Sequence, residues 1–578
     1  MSLRVVGGRR ATLGVLGFAI AAFGTGCGGG GHGFPDASVF FDGHPDTTPA
    51  GTGGAGADAG TRPPPTPAAG ALALFTGPSL LIGSGPDSCT NQDPASGDRW
   101  CGFAAPSSFA GGVDLWVINV SKAVAGKAIR CDSSDLDCLL LTSTLDTANG
   151  LNAHSFFGDT LIYSDGSGPI YGWRPGMTAG RKLTSNQANV CIGQSKSDAV
   201  LCAQNQDSTT VPTQTSIDIV AGKLSVGGTA MLPKVATLLL SDAADPSTVP
   251  HYQVGLSPTG DWVAWSTRPT AAGVETLSAQ KLNDDSTRVV IAEDVSQWDF
   301  SADGTSWYWL KSYNYSASGN PLGTLQAAPF PPDPGGAPTT GTTIQTSVAA
   351  YFPGGNKGVF FFGPLAAANG SASLSVMEDR AQPAQVKLID RNVIQLISLA
   401  HDGRTVVYAK TVVTNTDGSP GLFDLYAGGL DLAAPCTLTA TATSPFPFAS
   451  LSEPTADAFW GSFNATTGVV VGNYTDLATC RAQPFASDLF AWSSVSNQGI
   501  VFADSVIGTS LADADVTLRY AQFTGGALPA TGTVIQTRAN PTFAVTLPSL
   551  DAVVYGILAG VDADGIYVKS DLPFTPTP

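Results

Sequence analysis

From about Ala71 to its end the chain repeats one pattern of polar and apolar positions. A Gly-containing turn leads into a short run of Val, Ile, Phe, Trp or Tyr, then a polar loop, then a second apolar run. The clearest copies are SPTGDWVAW (Ser257 to Trp265), SADGTSWYWL (Ser301 to Leu310) and AHDGRTVVYA (Ala400 to Ala409). Looser copies start at Phe157, Pro353, Asn497 and Leu550. The turn calls for Gly because its last residue must take a positive φ. The runs call for β-branched and aromatic residues because they are buried between neighbouring sheets. Strand centres at Ile162, Leu201, Ala264, Tyr308, Phe361, Val407, Phe459, Val501 and Val554 are spaced by 49 residues on average. A four-stranded propeller blade takes about 40–50 residues, so the period predicts an all-β propeller. A β-sandwich array or an irregular solenoid of hairpins is the alternative, although sandwiches place turns every ~8–12 residues without the longer period. Counting the stretch before Gly150 gives nine or ten units. Ordinary rings stop near eight blades. The expectation is therefore one ring of seven or eight four-stranded blades over residues 71–578, closed by pairing Gly565 to Ser570 with Leu80 to Gly83.

The second runs share a look of their own: DLWVINV (Asp114 to Val120), SIDIVAG (Ser216 to Gly222), SLSVMED (Ser373 to Asp379), DLYAGGLD (Asp424 to Asp431) and VTLRYAQF (Val516 to Phe523). An S-P-D-G turn, an apolar strand and then a D-L-Y-V strand resembles the TolB-type, WD-like propeller repeat. Arg181-Lys182-Leu183-Thr184 is similar to the R-x-L-T that closes such a repeat. Only Asp303-Gly304 and Asp402-Gly403 retain the Asp-Gly of the turn. The resemblance implies a protein-interaction role in the bacterial envelope.

The first 70 residues have a different composition. Arg4, Arg9 and Arg10 precede an uncharged stretch from Ala11 to Phe23, too short to span a bilayer but suited to a signal peptide over residues 1–26. Gly24, Thr25 and Gly26 then lead to Cys27, which resembles the lipobox of bacterial lipoproteins, with Gly24 where that family prefers Leu. The resemblance implies a lipidated, palmitate-bearing Cys27, and Gly28 in place of Asp implies the outer membrane. Residues 27–70 are rich in Gly, Ala, Thr, Asp and Pro. Such a segment cannot bury enough apolar surface to offset its chain entropy, and the expectation is a disordered tether.

Setting Cys27 aside leaves eight cysteines, at 89, 101, 131, 138, 191, 202, 436 and 480, an even number that fits an oxidising compartment. Sequential pairing closes short gaps, as Cys89 with Cys101, Cys131 with Cys138, Cys191 with Cys202 and Cys436 with Cys480, among 105 possible connectivities. There is no CxxC pair and little His nearby, so zinc is not expected. A formal net charge of −18 repels phosphate backbones and argues against a nucleic-acid partner. The scarcity of charged residues, 13%, argues against long helices with wet faces.

Candidate chemistry is sparse. No G-x-S-x-G is present; Gly255-Leu256-Ser257 is followed by Thr259 where Gly is required. His154, His251 and His401 read as exposed, capping or turn residues. Asp132, Asp135 and Asp137 crowd between two cysteines and read as solvated acids. Asp562 to Gly565 begins like a calcium loop but has Pro573 where the bidentate Glu belongs. No catalytic residue, metal ligand or cofactor is expected. The function expected is a non-catalytic binding platform for an envelope protein or glycan. The alternative is a propeller glycosidase or lyase with carboxylates such as Asp299 and Glu378 at the central channel.

Overall fold

The structure is a computed structural model that describes residues 64–574 apart from several internal segments, of which 206–215 and 240–251 are the longest. Cys27, the leader, most of the expected tether, His251 and His401 lie outside the described residues.

Among the described residues there are ten antiparallel sheets, nine with four strands and one with five. The chain is an all-β propeller with ten blades, not seven or eight. Each strand centre chosen from the sequence falls in the second strand of a different sheet. The remaining sheet, first in chain order, precedes Gly150 and runs through Leu80–Leu81, Trp100–Pro106, Val113–Asn119 and Cys138–Thr142. The usual ring size of about eight does not limit this chain. A repeat period is a property of one blade and does not say how many follow.

By compactness the chain divides into two units. Among described residues the first holds 157–410 and 427–436, and the second holds 64–156, 411–426 and 437–574. In the first, period-two alternation along Ser306–Tyr315 sends successive side chains to opposite neighbours. Trp307 and Trp309 pack with Trp262 and Ala264 of the preceding sheet and with Trp298 of their own, while Tyr308 and Leu310 pack with Tyr351, Phe361 and Met377 of the following one. The Tyr351 hydroxyl donates to the Tyr308 carbonyl at 3.0 Å, so even the phenol of this core is satisfied. Both faces of such a strand are covered, and it therefore reads as a continuous apolar run. All five residues of Thr405–Ala409 are buried. Outer strands differ: Val386–Val393 keeps most of its residues exposed.

In the second unit the last sheet contains both ends of the described chain. Leu72–Thr76 pairs with Gly565–Lys569, beside Ala552–Ile557 and Ala544–Leu547. The partner of the C-terminal strand is thus Leu72–Thr76, and Leu80–Leu81 instead opens the next sheet, opposite Phe103 and Ala104. Ala71 to Thr76 offers enough apolar length for a strand, whereas Leu80–Leu81 is only two residues long. Pro64 to Gly70, given to the tether on composition, also lies against this unit: the Ala68 N–H donates to Gln536 Oε1.

Disulfide bonds are present at Cys89–Cys101, Cys131–Cys138 and Cys191–Cys202. Cys191 and Cys202 face each other in register on adjacent strands. Cys436 and Cys480 are also in the disulfide state.

Candidate functional site

The repeat turn positions the side chains of the first unit. In Ser301 to Ser306 the buried Ser301 hydroxyl accepts the N–H groups of Ser306 and Thr305, at 3.0 and 3.2 Å, and the Gly304 N–H donates to the Ser301 carbonyl at 2.9 Å. Ser257 plays the same part for Trp262 at 3.1 Å. Gly304 takes φ 67° and Gly260 φ 71°, the left-handed region that favours Gly. Each turn also rests on the one before it. A Cβ on Gly304 would lie 3.4 Å from Pro258, and one on Gly260 would lie 2.0 Å from Ser197 Oγ. Successive turns are therefore set side by side at one edge of consecutive sheets.

Between the turns of the fifth, sixth and seventh sheets is a groove of about 450 Å³. Its lining includes Asp303, Gly358, Glu378, Asp379, Gln382 and Arg404. Arg404 follows the Asp402-Gly403 turn, and its guanidinium is fixed on two sides. Nε and Nη2 donate to Asp431 at 2.7 and 2.6 Å, and Nη1 donates to Glu378 at 2.8 Å. These bonds push the guanidinium further above its ordinary range and hold the Asp431 carboxyl below the usual carboxylate value, with Lys387 adding to the second effect. The Lys387 ammonium donates to the carbonyls of Gly429, Leu430 and Leu432. Arg380 donates from Nε to Ser306 Oγ at 2.6 Å, bracing the neighbouring turn. Asp303 accepts from Ser301 Oγ, the Thr305 N–H and Thr305 Oγ1, and Asp402 accepts from the Arg404 N–H at 2.8 Å.

The groove is polar, and its charged groups are held in place before anything binds. Four carboxylates (Asp303, Glu378, Asp379 and Asp402) and one guanidinium (Arg404) line it, so the local balance is acidic. Most of these carboxylates already accept hydrogen bonds from turn atoms or from Arg404. That arrangement suits recognition by hydrogen bonding and charge.

Residues singled out from the sequence are scattered by the fold. Of the exposed or capping roles expected for His154 the exposed one fails: it is buried at 1% exposure, directly ahead of the strand Ser155–Phe157. Asp135 and Asp137 are not simply solvated. Both pair with the Lys127 ammonium, and Asp135 also accepts the N–H groups of Arg130 and Asp137. Burial opposes ionisation of Asp135, but these bonds outweigh it and its carboxyl sits below the usual range. Among the described residues no three metal-type ligands gather. In the calcium-like stretch Asp564 is buried, and its carbonyl accepts the Gly77 N–H at 2.7 Å. Arg181 of the R-x-L-T stretch is buried and donates to the carbonyls of Ala230, Lys223 and Leu224. Asp299 lies opposite Tyr308 in a strand pair, while Glu378 belongs to the groove as a partner of Arg404. Arg404, Arg380 and Asp431 were missed. Arg404 directly follows an Asp-Gly turn, and that position was the available signal.

No protein-family model matches the chain, and no curated protein matches it. Among solved structures it is similar to a puromycin hydrolase at 14% identity, over 69% of this chain and 58% of that one, with a TM-score of 0.32. It is also similar to dipeptidyl peptidase 4 of Porphyromonas gingivalis at 12% identity, over 66% and 58%, with a TM-score of 0.40. The β-propeller domain of the trilobed protease from Pyrococcus furiosus matches at 10% identity, over 58% and 97%, with a TM-score of 0.30. The chain spans less than two thirds of the length of the first two, and likenesses at this level carry no argument about activity.

Proposed function

We propose that this protein is an exported cell-envelope lipoprotein whose propeller serves as a binding platform for an envelope protein or glycan, and that the turn edge of the first unit is the platform's binding surface. One observation carries the reading: the groove of about 450 Å³ presents charged groups already fixed by bonds to turn atoms and to one another, with Arg404 held between Glu378 and Asp431. A surface preset in this way loses little side-chain entropy on binding. Export is supported by the disulfides, which persist in oxidising compartments. Lipidation at Cys27, retention at the outer membrane and kinship with TolB-type repeats rest on the sequence motifs.

The test places a photo-cross-linking amino acid at the positions of Gln382 or Gln385 in the groove, and at Lys311, an exposed residue midway along Ser306–Tyr315 and outside the groove lining, as control. Adducts of one defined mass from the first two positions and none from Lys311 are expected. Equal labelling at all three, or none, would contradict the reading. Separately, Cys27→Ser should move the protein from the membrane to the soluble fraction.

A further inference from the structure

The residues ahead of the first strand are held down by one buried side chain of the second unit. Gln536 belongs to Thr533–Ala539, the outer strand of the ninth sheet, and is 2% exposed. Its Oε1 accepts the Ala68 N–H at 2.6 Å and the Tyr555 hydroxyl at 2.9 Å. Its Nε2 donates to the carbonyls of Thr66 at 3.0 Å and Thr537 at 2.5 Å. A primary amide offers two donors and two acceptor sites, and all four are used. Two of them engage backbone groups two residues apart on one segment, as a neighbouring strand would. Pro65, at the start of that contact, is buried. Ala71, at its end, packs against the cluster of Tyr555, Tyr567 and Phe574.

The other end of the chain is fastened to the same cluster. The Leu572 N–H donates to the Asp551 carbonyl at 2.9 Å, and the Tyr520 hydroxyl donates to the Pro573 carbonyl at 2.8 Å. Phe574 is buried with its ring edge-on to Tyr520. The sheet in which both ends meet is therefore bordered by two docked tails.

We propose that Pro64 to Gly70 is a strap that locks this two-ended sheet, with Gln536 as its clasp and Tyr555 as the positioning residue that fixes the clasp's amide. The strand Leu72–Thr76 is only five residues long and pairs with a single neighbour, so alone it would fray from its upstream end. The strap prevents this. A pull on any upstream residue must break the amide contacts before Leu72–Thr76 peels from Gly565–Lys569. Burial also holds the Tyr555 phenol up at about 12, which extends its donation to Gln536 into the alkaline range.

Hydrogen exchange on the full chain, read at residues 66–76 and 565–569 as protection factors, tests the lock. Gln536→Leu leaves the Ala68 N–H and the Thr66 carbonyl without their partner, and exchange in both segments should quicken by about tenfold or more. Residues 262–267 should keep their protection and serve as the folding control. Gln536→Glu replaces the donor with an oxygen facing two carbonyls, which raises the new carboxyl's pKa. Its strap should be protected at acid pH, where the protonated carboxyl donates, and loosened as pH rises. Because both readings come from one folded variant, it decides the matter even where the Leu variant folds poorly. Tyr555→Phe should give a smaller change, and Thr66→Ala none, since the clasp reads the backbone. The lock is refuted if Gln536→Glu shows pH-independent, wild-type protection at 66–76, or if Gln536→Leu stays within about twofold of wild type.

Discussion

The turns of the first unit and the strap of the second solve the same problem, satisfying backbone groups at the end of a strand, over very different distances. At Ser301 the hydroxyl that satisfies Ser306 comes from five residues away. At the strap the amide that satisfies Thr66 comes from 470 residues away. The first solution is local and recurs wherever a Ser or Gly can be placed at the right offset. The second needs the chain to have come back to its start, and one side chain provides it. A local device fixes the edges of the sheets that carry Ser257 and Ser301, whereas the distant one ties the two ends of the described chain together. Failure should follow the same division: breaking a turn should disturb the unit that nests on it, while breaking the two-ended region should loosen it first.

The largest effect is expected from Gly260→Val. It forces a β-branched residue into the left-handed region, and its Cβ would fall 2.0 Å from Ser197 Oγ and 2.8 Å from the Ala199 Cβ. A loss of about 3–5 kcal/mol in denaturant unfolding is expected, and a loss below about 1 would mean that the turns are not nested. Phe574→Ala comes next, at about 2–3 kcal/mol, because the chain end relaxes more freely than a core. Its signature should be local, with Leu72–Thr76 and Gly565–Lys569 losing exchange protection while Trp262–Thr267 keeps it. Equal loss in both places would dissolve the contrast between the two regions.

Arg404→Met should have the smallest effect on stability, at most about 1 kcal/mol, because its partners Glu378 and Asp431 are more than half exposed and solvent screens the pairs. Its sign with pH is fixed. Asp431 has a depressed carboxyl in the folded protein, so its contribution is present above the ordinary carboxylate range and is lost as pH falls through the folded value. The gap between wild type and Arg404→Met should therefore shrink toward acid and in high salt. A gap that widened toward acid would show that Arg404 acts through something other than its carboxylate partners.

Those same distances explain what could be seen in the sequence. The S-x-x-G turns, the apolar second strands and the short cysteine gaps are all local, and the nine strand centres picked from them each mark a separate sheet. Cys191 and Cys202 were legible because eleven residues of hairpin bring them into register. The first sheet was hard to see because Leu80–Leu81 opens it with two residues and Trp100–Pro106 follows no S-x-x-G turn. Blade number was lost because no local feature states where a repeat array ends. The strap was hidden by composition. Proline and alanine read as tether, and nothing near Thr66 announces a glutamine placed hundreds of residues later. In the groove Glu378 was noticed as an acid, but its role as a partner of Arg404 depends on the packing of neighbouring sheets, which sequence spacing does not report.

The pairing of the two chain ends is tested most directly by disulfide trapping. Leu72 and Val568 are partners in register. A chain carrying Leu72→Cys with Val568→Cys should give a cross-linked peptide joining the two positions under mild oxidation, while Leu80→Cys with Val568→Cys should leave both thiols free. The reverse result, a link from position 80 and none from position 72, would contradict the account, since the strand beside the C-terminal one would then be the wrong one.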